Sequence, residues 1–125
     1  MTRGPGPLHA ALRAQAEGLH ACEAATELLI GQGSWLHRAD FVEGFVHTDP
    51  GPNDGIVMSA IDWPKAITAL DAGRLACSGG ERRMLRIAAS LADGVPVDLR
   101  DALSGLDSTN INLVAAAVFL ANGKK

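Results

Sequence analysis

The chain has 125 residues, 47% of them apolar and 20% charged, which is material for one hydrophobic core and not for two. That balance excludes an intrinsically disordered chain, which would be poor in apolar residues and strongly charged. A formal net charge of -3 also argues against a domain devoted to wrapping phosphates, since such domains are usually strongly basic.

Residues 1–7 are rich in glycine and proline and read as a flexible arm without the apolar core of a signal peptide. The remainder, 8–125, reads as a single helical domain. The longest uncharged apolar run, 111–121, is shorter than the roughly 20 residues that span a bilayer. Cys22 and Cys77 are far apart and build no disulfide framework, so the expected location is cytoplasmic.

A long helix is expected over 8–30, where Ala, Leu, Glu and Gln dominate. On a helical wheel Ala11, Ala14, Gly18, Ala21 and Ala25 form one seam of small residues. Leu8, Leu12, Leu19 and Ile30 lie beside it, while His9, Arg13, Glu17, His20 and Glu27 face away. Gly18 costs such a helix about 1 kcal/mol relative to alanine, and a close approach by another helix backbone would explain it. Gly31 and Gly33 end the helix. Ser34 caps a second one carrying Trp35, Leu36, Phe41, Val42, Phe45 and Val46.

The run Thr48-Asp-Pro-Gly-Pro-Asn-Asp-Gly55 is the clearest loop, and one short extended segment is expected near 56–60. Asp62 caps a third helix with Pro64 in its first turn, ending at Gly73. Ser78 and Glu81 have capping-box spacing and open a fourth helix that Gly94 closes. Asp98 caps a short fifth helix. Asp107 or Ser108 caps the last, which runs over 109–122 and has no charged face on any side. A helix apolar all round belongs at the centre of a bundle or under another subunit, so a homodimer is expected, with burial inside the chain as the alternative. The fold class is all-α, a compact bundle of five or six helices.

The run from Leu75 through Ser78-Gly79-Gly80-Glu81-Arg82-Arg83, with Ser104-Gly-Leu-Asp107-Ser after it, resembles the signature sequence and D-loop of ABC-type ATPases. That resemblance implies Ser78, Gly79 and Gly80 facing a nucleotide phosphate, with Asp101 where the Walker B aspartate would sit. The departures are decisive: the sequence has no GxxxxGK[ST] to cradle phosphates, and Ala102 stands where the catalytic glutamate belongs. The local similarity is therefore read as coincidental, and an ordinary capping box accounts for the spacing. As a whole the chain resembles small helical proteins of high-GC bacteria, a resemblance that carries no activity with it.

Local physics still offers an anion or partner patch. Helix-start N–H groups attract anions, and Arg82, Arg83 and Arg86 share one polar arc of the fourth helix. The candidate residues are Ser78, Gly79, Gly80, Arg82, Arg83 and Arg86. Ala76-Cys77-Ser78-Gly79-Gly80 also touches the AxSxG form of a nucleophile elbow, but all four histidines precede Ser78, against that family's chain order. His37 with Asp40, and His47 with Asp49 and Asp54, have no recognisable ligand box, so no metal and no cofactor are implied. Cys77 reads as a small buried core residue, and the aromatics as core rather than a stacking platform. The leading functional expectation is a non-enzymatic interaction or regulatory module. The alternatives are a nucleic-acid-binding accessory protein using the arginine patch and a small enzyme of unassigned type.

Overall fold

The computed structural model describes residues 6–50 and 55–124. Seven α-helices build the described chain: α1 (Gly6–Ala16), α2 (His20–Gln32), α3 (Ala39–Phe45), α4 (Trp63–Asp71), α5 (Gly79–Asp93), α6 (Leu99–Leu103) and α7 (Ser108–Ala121). A 3-10 turn, Trp35–His37, precedes α3, and strands β1 (Val46–Asp49) and β2 (Met58–Ile61) form one antiparallel hairpin. The fold is all-α apart from this pair. The helix count exceeds the five or six expected, chiefly because the long first helix is two.

That first correction has a clear cause. Gly18 adopts a left-handed conformation at φ 85°, which L side chains avoid, and the chain turns back on itself there. Nothing lies within 4 Å of where its Cβ would be, so the expected close helix approach is not why glycine stands here. The break also dissolves the small-residue seam. Ala11 and Ala25 are buried on separate helices, Ala14 is half-buried, and Ala21 is exposed. Gly6 and Pro7, expected in the flexible arm, open α1, and the rest of the arm lies outside the described residues.

The second expected helix is likewise divided. Arg38 is extended at φ -89°, ψ 123°, separating the 3-10 turn from α3, and Val46 leaves α3 to begin β1. The hairpin pairs Val46 with Ile61 and Asp49 with Met58 around the Pro/Gly-rich loop. Thr48 and Ser59 hydroxyls meet across it at 2.8 Å, which satisfies Ser59 where it is buried.

Capping fixes the later helices where the sequence places them. Asp62 accepts from Lys65 N, Asp98 from Asp101 N and Asp107 from Asn110 N, each satisfying an orphan first-turn donor.

The centre of the bundle is α2, with α5 and α7 packed against it. Helices α2 and α5 run antiparallel. Cys22 Sγ donates to Ala92 O at 3.7 Å near one end, and Trp35 Nε1 to Glu81 O at 2.9 Å beyond the other. Between these ties lie Ala24, Ala25, Leu28 and Leu29 on α2 and Met84, Leu85, Ala88 and Ala89 on α5, all essentially without solvent contact. On the other side the Leu113 side chain of α7 seats against Gly31, where a Cβ would stand 2.7 Å from Leu113 Cδ2. The alternative of an α7 buried wholly inside the chain is not met, since the helix covers one flank of α2 and leaves Val118 and Phe119 exposed.

Candidate functional site

The residues expected to form an anion patch gather around the start of α5, and most are engaged by the chain itself. Ser78 Oγ accepts from Glu81 N at 3.1 Å, and the Glu81 carboxylate accepts from Ser78 N at 2.8 Å, completing the capping box. The positive end of α5 thus already faces a carboxylate from its own first turn. Gly79 and Gly80 sit in that turn. Arg83 reaches away to α6, donating from Nε to Asp101 O at 3.2 Å, with its guanidinium beside Gly79 and Gly105. Arg86 pairs with Asp71 at the end of α4. Among the described residues Arg82 alone of the three arginines is left without a side-chain partner. The three do not converge, and a single outward arginine offers a ligand one point charge.

Around this helix start the 3-10 turn adds a polar junction. The Arg38 guanidinium lies 4.8 Å from the Trp35 ring centroid, donates to Ala76 O at 2.6 Å and clamps Asp40 with Nε and Nη2. That hydrogen bond holds the Asp40 carboxyl below its ordinary range. Asp40 is thereby committed to Arg38 rather than to His37. No group of three or more His, Cys, Asp or Glu side chains among the described residues is placed to hold a metal ion.

The Glu81 carboxyl is also held below its ordinary range, first by the Ser78 amide and next by the Ser34 hydroxyl. A depressed folded-state value means its contribution to stability is present above the usual carboxylate range and is lost as pH falls through the folded value. Glu81→Gln should therefore flatten the decline in urea midpoint below about pH 4.3. Equal acid-limb slopes for both proteins would remove this carboxylate as a cause.

A concavity lies elsewhere, in a cleft of about 660 Å³ between α1, α2 and α7. Ala10, Ala14 and Ala16 of α1, Thr26 of α2, and Ala116 and Leu120 of α7 line it together with the charged Arg13, Glu17, Glu23, Glu27 and Lys124. Arg13 bonds Glu27 in a two-point pair at 2.7 and 3.0 Å, which ties α1 to α2. Nearby, burial first, then Arg13 and His37, hold the His9 imidazole below its ordinary range. Glu17 and Lys124 make no ion pair among the described residues.

Beside this cleft runs the outer face of α7. Its inner side meets the core through Val114 and Ala117, at 8% and 3% exposure. Its outer side presents Ile111, Val118 and Phe119, the last two 58% and 62% exposed. No charged side chain interrupts the helix from Ser108 to Ala121. Isolated exposed apolar residues are ordinary, whereas several on one uncharged helix form a contiguous patch.

The sequence singled out this helix but missed the cleft. Arg13 and Glu27, and the alanines behind them, meet only because α1 and α2 fold back. On one continuous helix the pair would be about 21 Å apart at 1.5 Å per residue. Gly18 followed by apolar Leu19 was the available signal for the turn, since glycine tolerates the positive φ of a helix end. No family model, curated protein or solved structure matches the chain. No helix among the described residues is long and apolar enough to cross a membrane.

Proposed function

We propose that the protein is a non-enzymatic interaction module that docks a protein partner through the outer face of α7. The observation that carries this reading is the exposure of Val118 and Phe119 on a helix without a single charge. A solvated helix face is ordinarily charged or polar, because apolar surface is costly to leave in water, at roughly 25 cal/mol per Å². Covering the face with another protein recovers that free energy, and the neighbouring cleft widens the surface on offer. The scattered commitments of Ser78, Glu81, Arg83 and Arg86 support the same reading, since each serves to hold the fold together.

The reading requires a face that the chain's own stability does not need. The double substitution Val118→Lys with Phe119→Lys, whose charges suit the last turn of α7, should leave thermal melting at low concentration within about 2 °C of wild type, as solvent-facing changes generally do. A fall of about 10 °C or more would place these side chains in the chain's own core and overturn the reading.

A further inference from the structure

We infer that the cleft between α1, α2 and α7 binds a small apolar amine, its cationic head held at the end that carries Glu17 and Glu23. The site uses the flank of α7 that bears Ala116 and Leu120 and does not depend on what covers the outer face.

Thr26 points to a ligand. It is only 6% exposed, yet its hydroxyl bonds no other group among the described residues. The Thr68 and Ser104 hydroxyls, by contrast, each bond the carbonyl four residues back. Among the described residues no side-chain nitrogen or oxygen is both sealed from solvent and unbonded, so the Thr26 hydroxyl opens into a hollow. Thr26 lines this cleft and also a smaller hollow of about 220 Å³. The larger one has the size of a ligand site. Its volume of about 660 Å³ falls within the roughly 300–1,000 Å³ of small-molecule clefts, which join apolar walls to a few polar groups.

The cleft is amphipathic along its length. His20 lies against Gly123 and Leu113 against Gly31, so α7 runs antiparallel to α2. The turn at Gly18 and the Arg13–Glu27 pair fold α1 back along the same face. Glu17, Glu23 and Lys124 therefore gather at the end near Gly18, and Ala10 and Ala116 lie toward the other, with Thr26 and Leu120 between. An apolar body suits the alanine end and a polar head the other.

Charge selects a cation for that head. Arg13 and Glu27 neutralise each other through their two hydrogen bonds. Glu17 and Glu23 against Lys124 leave the head end one negative charge in surplus. Two helices, α1 and α7, end there while only α2 begins, and their carbonyl ends add to the preference. Glu23 already accepts from Gly18 N at 3.1 Å and faces His20 Nδ1 at 3.3 Å, which leaves Glu17 as the open carboxylate. An ammonium has three N–H donors, enough for the Glu17 carboxylate and the Thr26 hydroxyl.

Amide chemical shifts during titration with phenethylammonium, at about pH 7.5 where histidine is mostly neutral, test the inference. Binding should saturate with a Kd of about 1 mM or tighter, and shifts should centre on Glu17, Thr26 and Leu120. Phenylpropanoate, the same shape with the opposite charge, should bind at least about tenfold more weakly. Thr26→Val, which removes only the hydroxyl, should weaken the amine about fivefold. Glu17→Gln should weaken it by up to about fivefold and leave phenethyl alcohol unchanged. Ala116→Phe closes the cleft without touching the smaller hollow and should abolish binding; Ala10→Phe, on the opposite wall, serves if that variant misfolds.

No saturation by about 10 mM amine would overturn the site. Binding that survives a folded cleft-filling variant would overturn its place, as would shifts confined to Val118 and Phe119. Phenylpropanoate binding as tightly as the amine would overturn the cationic head. An unchanged Thr26→Val affinity would remove the hydroxyl on which the site rests.

Discussion

Replacing Trp35 with alanine should cost the fold about 3–5 kcal/mol, the range for truncating a large buried aromatic. Trp35 has no solvent contact and joins three parts of the molecule. Its ring packs against Phe41 at 5.3 Å between centroids, its indole N–H bonds Glu81 O in the first turn of α5, and Arg38 covers one face. Alanine removes all three and leaves a cavity that the short 3-10 turn cannot close. Since whole domains are stable by only about 5–15 kcal/mol, much of the population should unfold at modest urea concentration. Trp35→Phe serves as the control, keeping most of the apolar volume and losing the indole bond, for about 1 kcal/mol. Urea titration followed by circular dichroism checks both. If Trp35→Ala lost less than about 1 kcal/mol, this residue would not be the joint described here.

Ala25→Leu should destabilise by about 1–3 kcal/mol, although leucine is nearly as good a helix former as alanine. The antiparallel register fixed by Cys22 with Ala92 and Trp35 with Glu81 sets Ala25 opposite the Ala88–Ala89 region of α5. All three are completely buried. The α2–α5 contact is thus an alanine layer flanked by Leu28, Leu29, Met84 and Leu85. Added methylenes have no space there and must push the helices apart or leave their rotamer wells. Ala21→Leu is the contrasting change. Ala21 lies four residues earlier on the same helix and is exposed, so its replacement should be close to neutral. Equal effects at the two positions would refute the assignment of α5 to this face.

The positions of α4, α5, α6 and the start of α7 were legible because capping is local. A serine or aspartate side chain that bonds an amide three residues on needs nothing from the rest of the chain. The all-α class was legible for the same reason, together with an apolar share sufficient for one core. Two boundaries were misread where local preference was ambiguous. Alanine-rich sequence on both sides of Gly18 is good helix on either path, and only the packing of α1 back onto α2 decided for the turn. Arg38 has good helix propensity as well, yet its clamp on Asp40, Ala76 O and Trp35 holds it extended.

The anion patch shows the same limit from the functional side. Three arginines on one arc look alike in sequence, but Arg83 and Arg86 reach Asp101 O and Asp71, partners in other elements that spacing on α5 does not reveal. The cleft was invisible altogether, since it exists only between helices whose separation the sequence concealed.

By itself the sequence determined the helical class, the capped ends of the later helices and an uncharged final helix, because each follows from bonds or properties within a few residues. Only the tertiary structure decided that α2 occupies the centre and that α7 turns Val118 and Phe119 outward. Which side of an evenly apolar helix is buried depends on the neighbours it meets; α7 has no polar stripe to orient it, and its packing on the core through Val114 and Ala117 leaves the other side outward.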